Sequence, residues 1–458
     1  MISDKHKTIG YVEDTVCEMN DATTETAVLQ ISGSLSTTRR LSVADRASIL
    51  DKVSRSLEAS AHEIATEIVS ESAYLSIADM LLEVQRAIEV FTLTAAFVRT
   101  GLTKAIDVDA VDRGRGTFGF IRREPIGPIL GITAFNGPLL IAAHKIGPAI
   151  AAGAPIIIKP SPRAARAAIA LARLVVLAGW PATAIAVLDI SNDQTLKLVR
   201  DPRLPVISFT GGDIGWAIKE MAPRKHVHLE LGGVGAVLVA EDANLDAAAR
   251  ECSKGAFVRS GQSCISVQRI YVMRPVYDQF LAKFLTHVPA ADRASKDAIP
   301  EMVSEVAAVH VEALVADAID CGATLICGGI RQGAYYQPTV IGNAHAHAQM
   351  KLMQIEAFGP VVAISAVDSI EEAVDQMNSV SGAIHHGIYT ARIDTALQTA
   401  DLINAGGVII NGPSTWRVDH MPYGGVGVSG FGREGIQYAI EEFTQPKAII
   451  VRPWAPAV

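Results

Sequence analysis

Cysteine is scarce in this chain of 458 residues, which has five. The five are widely scattered and odd in number, so they do not resemble the framework of a disulfide-stabilised secreted protein. They are Cys17, Cys252, Cys264, Cys321 and Cys327. This pattern is typical of a reducing compartment, and we expect a cytoplasmic protein.

Long hydrophobic runs and a strong excess of one charge are also missing. The longest apolar stretches, such as residues 164–177, are too short for a bilayer, and this one is interrupted by Arg166 and Arg173. The first ten residues, MISDKHKTIG, have no apolar core of the kind found in a signal peptide. The net charge of −8 gives no general attraction to nucleic acid or to an anionic membrane, so neither is expected as a partner.

The composition that is present belongs to a globular protein with sizeable cores. Hydrophobic residues make up 49% and charged residues 19% of the chain, which argues against disorder over most of its length. At roughly 100–200 residues per domain, the length suggests two or three domains.

Short apolar runs alternate with helical patterns through the middle of the chain. Residues 41–100 have apolar positions at three-to-four-residue spacing, which predicts helices with Ser42 as an N-cap. Over residues 129–212, ILGITAF, APIIIKP, AIAVLDI and PVISFTGG are typical of strands separated by helices, one of which ends at Gly153. That alternation predicts a parallel sheet covered on both faces. After residue 230 the pattern restarts with GAVLVAE and RIYVMRP, which predicts a second α/β domain.

Three segments lie outside this alternation. Residues 101–126 are turn-rich and end in RREPIGP, the run GGVIIN near 406–411 predicts another strand, and TQPKAIIV at 444–451 looks like a lone strand. Because exposed strand edges are a liability, the tail strand needs a partner sheet elsewhere in the chain or in another subunit.

Four side chains stand in contexts that suit chemistry, although each also has an ordinary explanation. Cys264, in SGQSCIS, is either an accessible thiol on a tight turn or a buried structural cysteine. Glu230, in HLELGG, is either a desolvated general base or a strand-end surface residue. Asn136, in ITAFNGPLL, either donates to a developing oxyanion or occupies a turn. Lys159 ends the strand PIIIK, where α/β sheets bind ligands, unless it is simply solvated.

Two pairs of histidines raise the question of a metal site. His345 and His347 form one pair, and His385 and His386 form the other. Neither pair is joined by cysteines or acidic residues at ligand spacing. Surface loops are therefore the better interpretation, and no metal is expected.

With their flanking glycines, these positions resemble the aldehyde dehydrogenase superfamily from about residue 40 to the end of the chain. The matching segments are PIGPILGITAFNGPL, AHKIGPAIAAGAPIIIKPSP, ISFTGG, LELGG, GQSCISVQRIYV, EAFGPV and MPYGGVGVSGFGREG. The resemblance implies an α/β fold with a Rossmann-like cofactor domain, an α/β catalytic domain that carries a thiol nucleophile, and a small bridging β-sheet for oligomerisation.

The resemblance assigns a role to each catalytic position. Cys264 matches the nucleophile, Glu230 matches the general base, and Asn136 matches the side-chain half of an oxyanion hole whose other half is the Cys264 backbone N–H. It implies non-acylating, NAD- or NADP-dependent oxidation of an aldehyde to its acid through a cysteine thiohemiacetal and thioester. The alternative from the residues alone is a cysteine-dependent hydrolase or acyltransferase without redox chemistry.

The resemblance also implies which residues contact the cofactor. Lys159 and Glu356 match residues that hold the riboses, Phe358 matches an aromatic residue beside the nicotinamide, and Gly211 begins the turn that receives the pyrophosphate. The full set of expected contacts is Thr133, Ala134, Phe135, Lys159, Ser161, Gly211, Gly212, Gly215, Leu231, Glu356 and Phe358.

The sequence departs from the family pattern in the cofactor region. Pro162 and Arg163 stand where many NAD-using relatives have an acid, and loss of that carboxylate favours tolerance of a 2′-phosphate. The loop from Gly211 to Gly215 is one residue shorter than usual. Gly427 replaces a common lysine, and Ala236 replaces a common proline.

The segment STWRVDHMPYGG resembles the branch that acts on small polar aldehydes such as lactaldehyde, succinate semialdehyde and phosphonoacetaldehyde. Arg417 and Tyr423 fall on pocket positions, and an arginine there suits an anionic substrate tail. An ion pair between Arg417 and Asp419 is an equally good interpretation. Arg259 is a second candidate cation.

The resemblance also implies boundaries. We expect residues 1–106 and 127–230 to form the NAD(P)-binding domain, 231–428 the catalytic domain, and 107–126 with 429–458 the bridging segments. In the family the tail strand is paired through a partner subunit, so a homodimer or homotetramer is expected.

Overall fold

The computed structural model describes residues 20–344 and 350–452. Its helices are α1 (Asp21–Thr38), α2 (Val43–Ala59), α3 (Ala61–Val69), α4 (Ile77–Thr100), α5 (Pro138–Ala152), α6 (Ala165–Leu177), α7 (Asn192–Arg200), α8 (Ile214–Met221), α9 (Leu245–Phe257), α10 (Tyr277–Leu285), α11 (Glu305–Asp320), α12 (Lys351–Gln354), α13 (Ile370–Asn378), α14 (Ile393–Leu402) and α15 (Ile436–Phe443). Its strands are β1 (Thr103–Ile106), β2 (Phe118–Pro125), β3 (Ile129–Ile132), β4 (Ile156–Lys159), β5 (Ile185–Val187), β6 (Val206–Thr210), β7 (His226–Glu230), β8 (Ala236–Val239), β9 (Arg269–Met273), β10 (Thr324–Cys327), β11 (Arg331–Gln332), β12 (Tyr335–Tyr336), β13 (Thr339–Gly342), β14 (Val361–Val367), β15 (Gly382–Ala383), β16 (His385–Tyr389), β17 (Gly407–Ile410), β18 (Val426–Gly427), β19 (Gly430–Phe431) and β20 (Thr444–Val451).

Helices α2, α3 and α4 pack with α5 and α6 into one apolar core. Ser42 caps α2 as predicted: its side chain accepts a hydrogen bond from the Asp45 backbone N–H, and the Asp45 carboxylate accepts one from the Ser42 N–H. This reciprocal cap satisfies two backbone donors that the helix itself leaves unpaired. Helix α1 lies before residues 41–100, the region in which helices were predicted. Its polar sequence DATTETAVLQISGSLSTT shows no clear apolar stripe, so periodicity did not indicate it.

The first sheet has the order β19-β7-β6-β3-β4-β5. Strands β7, β6, β3, β4 and β5 are parallel neighbours, whereas β19 pairs antiparallel with β7. The predicted parallel sheet is confirmed, as is the end of α5 at Gly153, whose φ of 75° lies in the left-handed region that glycine favours. Because the strands run the same way, the residues after β3, β4, β6 and β7 meet along one edge.

The second sheet has the order β10-β13-β14-β9-β8-β16-β17. Strand β10 is antiparallel to its neighbour and the other pairs are parallel, so the restart of the α/β pattern after residue 230 is confirmed. The fully buried Arg269 on β9 donates to the carbonyls of Val234, Gln376 and Met377. These bonds fix the backbone between the two sheets, directly after the LELGG segment.

A third sheet has the order β1-β2-β20. Strand β20 pairs antiparallel with β2 of the same chain, from Phe118 opposite Val451 to Pro125 opposite Thr444. The expected sheet between the 107–126 segment and the tail is therefore confirmed, and pairing of the open edge of β20 with another subunit stays a prediction. The main-chain groups on one side of β20 pair with β2, and those on its other side form the edge of the sheet.

The boundaries of this sheet also differ from the expected ones. Strand β1 lies before residue 107, inside the segment assigned to the cofactor domain. Within 429–458, β19 extends the first sheet and α15 packs its apolar residues Ile436, Ile440 and Phe443 into the core around α5. Of the described part of that segment, only β20 lies in the bridging sheet. Helix α15 lies elsewhere because its apolar face must be buried. Residues 1–19 and 453–458 of the expected ranges lie outside the described residues.

The histidine pair at 385–386 does not lie in a surface loop, and that prediction was wrong. Both histidines are buried on β16, where the apolar neighbours of a central strand surround them. His386 Nδ1 accepts a hydrogen bond from the Ala236 N–H, and His385 Nδ1 lies 3.2 Å from the Ser414 carbonyl. His345 and His347 lie outside the described residues. No group of three or more potential metal ligands occurs in the described parts of the chain.

Among the described residues, no helix combines the length and apolar character needed to cross a membrane. Cys252, Cys264, Cys321 and Cys327 are free thiols, and Cys17 lies outside the described residues.

Candidate active site

The expected site residues of the first sheet gather along its carboxyl edge. Asn136 follows β3, Lys159 ends β4, Gly211 follows β6 and Glu230 ends β7. Neighbouring strand ends are tied together, since the Thr133 N–H donates to the Lys159 carbonyl and the Gly211 N–H donates to the Glu230 carbonyl. The parallel topology thus brings four separate sequence segments to one edge.

Cys264 reaches this edge from the second α/β unit, between α9 and β9. A tight turn precedes it, with positive φ values at Arg259, Ser260 and Gly261. Gly261 packs so closely on the Gly359 carbonyl that a Cβ would collide with it. The turn therefore needs glycine at this point, and it aims the Cys264 side chain toward Glu230.

The thiol of Cys264 lies between two polar groups. Its Sγ is 2.9 Å from the Tyr423 hydroxyl, and the charge of the buried Glu230 carboxylate acts on it from the other side. Burial raises the pKa of Cys264 well above its ordinary value, and the Glu230 charge raises it further, whereas the bond from Tyr423 lowers it. Burial raises the pKa of Glu230 to about 7, with a further contribution from the charge of Glu434. A carboxyl group that titrates near neutral pH can take up and release protons at working pH.

Asn136 faces the turn that carries the thiol. Its side-chain Nδ2 donates to the Gln262 carbonyl at 3.1 Å. Its own carbonyl accepts a bond of 2.8 Å from Arg259, whose guanidinium lies 3.3 Å from the buried Glu83. Arg259 is therefore committed to holding the Asn136 backbone, which counts against its use as a cation for substrate.

The groups expected at the cofactor are also present along the edge. The buried Lys159 ammonium has no hydrogen-bond partner among the described residues, and the first turn of α8 has no side-chain cap. Glu356 lies against Gly232 and accepts a 3.3 Å bond from the Gly233 N–H. Burial raises the pKa of Glu356 to about 8.

Glycines and aromatic rings complete this surface. No atom lies within 4 Å of a Cβ built on Gly212, whereas Gly215, inside α8, packs on Leu231. The rings of Phe135 and Phe358 meet edge to face with centroids 5.8 Å apart. Free backbone N–H groups, an unpaired cation, a carboxylate and apolar rings fit the phosphates, riboses and nicotinamide of a dinucleotide.

The remaining expected cofactor positions lie in the same two loops. Ala134 is half-buried after β3, and Ser161, half-buried after β4, accepts a 3.4 Å bond from the Arg163 N–H. Pro162 and Arg163 are exposed. The charge of Asp189, which follows β5, opposes the lowering of the Lys159 pKa by burial.

Behind the thiol lies a buried charge network. Arg417 Nη2 is 3.4 Å from Glu434 and 3.5 Å from Asp419, and its guanidinium stacks 3.7 Å above the Tyr423 ring. Asp419 also accepts two bonds from Arg86 and lies 3.0 Å from His144 Nε2. The expected pair between Arg417 and Asp419 is present, but it is one edge of a larger network.

Sequence reasoning missed several members of the network. Lys145 is fully buried and donates to Ser208 and Thr210, while its charge lowers the pKa of Glu230. The available signal was a charged pair, His144 and Lys145, inside the otherwise apolar helix LLIAAHKIGPAIAA. Arg86 gave no local signal, because its partner Asp419 is distant in sequence.

A Rossmann-like sheet with ligand-binding groups at its strand ends, faced by a thiol from a second α/β unit, defines an α/β enzyme with a candidate cysteine nucleophile. The model of the aldehyde dehydrogenase family matches residues 5–449. The chain belongs to that family.

Known relatives agree with this assignment. The chain is 37% identical over 409 residues to an aspartate-semialdehyde dehydrogenase from Pseudomonas canavaninivorans, covering 88% of this chain and 86% of the relative. It is 34% identical to a 3-sulfolactaldehyde dehydrogenase from Priestia aryabhattai, covering 89% and 86%. The crystal structure of a glyceraldehyde-3-phosphate dehydrogenase from Methanocaldococcus jannaschii complexed with NADP matches with a TM-score of 0.89 and 32% identity, over 97% of each chain.

Proposed function

We propose that this protein catalyses the NAD(P)-dependent, non-acylating oxidation of a small, polar and preferably anionic aldehyde to its carboxylic acid. The observation that carries the proposal is the Cys264 thiol, which meets the buried, electrostatically coupled Glu230 carboxyl group at the carboxyl edge of the first sheet. A nucleophile beside a carboxyl group of near-neutral pKa supplies both halves of a covalent mechanism.

The first half forms a covalent adduct on Cys264. The thiolate attacks the aldehyde carbon, and the resulting oxyanion accepts hydrogen bonds from the Asn136 side-chain amide and the Cys264 backbone N–H. The Asn136 amide has two N–H donors, of which one already bonds the Gln262 carbonyl. A nicotinamide cofactor, held by Lys159, Glu356 and the backbone after β6, supplies the hydride acceptor when it is bound. The adduct becomes a thioester on Cys264.

The second half is hydrolysis of that thioester. Glu230 takes a proton from a water molecule, which then attacks the thioester carbon and releases the acid. The base must be ionised, so hydrolysis should rise as the pH passes upward through about 7, the pKa to which burial raises Glu230. A carboxylate at this point favours water over coenzyme A as the acceptor.

Cofactor choice depends on charge near the adenosine ribose. The position after the Lys-Pro-Ser segment is Pro162 rather than an acid, which favours tolerance of a 2′-phosphate. Asp189 acts on Lys159, and Glu71 accepts bonds from the first N–H groups of α6. Both carboxylates repel a phosphate, so we propose that NAD and NADP are both used, without strong exclusion of either.

The substrate tail is proposed to bind at Arg417. Arg417 meets Glu434 and Asp419 at 3.4 and 3.5 Å, longer than the distances of strong charge-assisted bonds, so an anionic tail can compete for it. Arg86 stands beside it with 30% of its side chain exposed, against 10% for Arg417. The relatives named above act on aldehydes that carry carboxylate, sulfonate or phosphate groups.

We also propose a homo-oligomer built around the bridging sheet. Phe118, Ile450 and Val451 expose large apolar side chains on this sheet, and such clustered surface is typical of an interface. The proposed domains are the cofactor unit around the first sheet, the catalytic unit around the second, and the bridging sheet β1-β2-β20.

Sedimentation should give a dimer or tetramer, and replacing Ile450 and Val451 by threonine should shift it toward monomer. A wild-type monomer would rule the oligomer out.

Cys264→Ala should abolish aldehyde oxidation and leave cofactor binding largely intact, because no cofactor-holding group is removed. Glu230→Gln should produce one equivalent of reduced cofactor per site and then stall, since thioester formation can release its thiol proton to water whereas hydrolysis needs the base. Absorbance at 340 nm measures the oxidation rate of Cys264→Ala and the burst of Glu230→Gln. Cys321→Ala is the control thiol variant. Near wild-type turnover by Cys264→Ala would refute the mechanism, and absence of the Glu230→Gln burst would place that residue earlier in the cycle.

The kcat/KM values for NAD and NADP should lie within about two orders of magnitude, or roughly 3 kcal/mol of discrimination. Asp189→Asn should move the ratio toward NADP because it removes a negative charge near Lys159, while the exposed Asp401→Asn should leave it unchanged. A much larger preference for NAD in the wild type would mean that another group reads the ribose hydroxyls.

Arg417→Leu should raise KM for an anionic aldehyde tenfold or more and leave KM for a neutral aldehyde of the same length unchanged, whereas kcat should fall for both because Arg417 also favours the Cys264 thiolate. A charge-assisted bond to the tail is worth roughly 1.5–3 kcal/mol, which accounts for that rise in KM. Arg392→Leu, which removes an exposed arginine paired with Asp394, serves as the control. Equal rises in KM for both aldehydes would show that Arg417 only supports the buried network.

A further inference from the structure

Tyr423 is held rigidly beside the reactive thiol. Its backbone N–H donates to the Glu434 carbonyl at 2.9 Å, and its own carbonyl accepts from the Glu434 N–H at 2.6 Å. These two bonds fix the backbone from which the Tyr423 side chain extends. The ring itself is buried, with the Arg417 guanidinium 3.7 Å from its centroid and the His385 ring edge-on at 5.2 Å. The position of the hydroxyl is therefore set by packing rather than by a flexible side chain.

The hydroxyl meets the sulfur at hydrogen-bonding distance. Tyr423 Oη lies 2.9 Å from Cys264 Sγ, and the charge of Glu230 also acts on the thiol. A thiolate can only accept hydrogen bonds, so the Tyr423 hydroxyl is the donor of this bond once Cys264 is ionised.

We propose that Tyr423 is a catalytic residue whose hydroxyl donates a hydrogen bond to the Cys264 thiolate and so raises the fraction of enzyme in the nucleophilic form. The inference rests on the proposed role of Cys264 as nucleophile. When the thiol ionises, its S–H bond breaks and the proton passes to the Glu230 carboxylate, giving a thiolate and a neutral carboxyl group. Tyr423 keeps its proton throughout.

The local charges explain why such a donor matters. Glu230 and Glu356 both raise the pKa of the thiol, as does burial, so an unassisted thiolate is disfavoured. His385 adds no positive charge at neutral pH, because burial lowers its pKa to about 4. Arg417, stacked on the tyrosine ring, is the cation that favours the thiolate form, and it also makes the phenol a better donor.

A donor to a thiolate has two opposed effects on reactivity. It increases the thiolate fraction, but it lowers the nucleophilicity of each thiolate, with a Brønsted coefficient of about 0.4–0.5. If loss of the donor raises the pKa of the thiol by about one unit, the thiolate fraction falls about tenfold and the reactivity of each thiolate rises about threefold. The donor is beneficial below the pKa of the thiol and slightly inhibitory above it.

The test is the pH dependence of Cys264 alkylation by iodoacetamide in the full-length enzyme without cofactor, followed by mass spectrometry of the Cys264 peptide. Tyr423→Phe should shift the profile upward by about one pH unit, with alkylation about threefold slower at pH 7 and about threefold faster near full ionisation. With aldehyde and cofactor, kcat should fall while KM changes little. Tyr389→Phe removes a different buried hydroxyl, bonded to Glu251, and should change neither profile.

The pH profiles of Cys264 alkylation in the wild type and in Tyr423→Phe should cross only if the Tyr423 hydroxyl bonds the thiolate. An unshifted profile, or a rate reduced equally at every pH, would overturn the proposal, as would a rise in KM with unchanged kcat, which would make Tyr423 a substrate-binding residue. The same comparison in a Glu230→Gln background should retain the shift, because the donor acts on sulfur whether the proton leaves to Glu230 or to water. If alkylation of Cys264 leaves turnover intact, the proposed function itself fails.

Discussion

The pairing of buried charges behind Cys264 is the constraint on which the site depends. Arg417 pairs with Asp419 and Glu434, Arg86 pairs with Asp419, and the charge of the buried Lys145 also acts on Glu434. An unpaired charge there would be expensive, and removing one partner of a buried pair typically costs about 3–5 kcal/mol. The network holds the Glu434 carboxylate ionised, with its pKa lowered to about 2 against the effect of burial.

The ionised Glu434 in turn sets the behaviour of Glu230. Its negative charge adds to burial in raising the pKa of Glu230 to about 7, while Lys145 and Arg417 limit the rise. Two buried carboxyl groups of the same site therefore differ in pKa by several units because only one of them has close cationic partners. Glu434, which is paired with cations, supports the fold. Glu230, which is poorly paired, is left free for proton transfer.

The sequence predicted the parts of this arrangement that follow from local pattern. The strands that carry Asn136, Lys159 and Glu230, the cap at Ser42 and the restart after residue 230 all come from periodicity and turn chemistry. The buried position of His385 and His386 could not be predicted in this way, because two histidines in a short strand look polar until the neighbouring strands are known. Likewise, the contact of Arg86 with Asp419 joins α4 to a distant loop, and no local pattern predicts such a contact.

The site also depends on how the two α/β units meet. Glu230 and Asn136 belong to the first sheet, whereas Cys264 and Tyr423 come from later segments, so the reactive constellation exists only across their boundary. Contacts that cross it are short: Asn136 Nδ2 to the Gln262 carbonyl at 3.1 Å and Arg259 to the Asn136 carbonyl at 2.8 Å. Because hydrogen bonds weaken steeply with distance and angle, a displacement of about 1 Å between the units would separate base, thiol and oxyanion donor together. The bonds of Arg259 to Asn136 and Glu83 oppose that displacement, which explains why an arginine five positions before the thiol is turned away from the substrate.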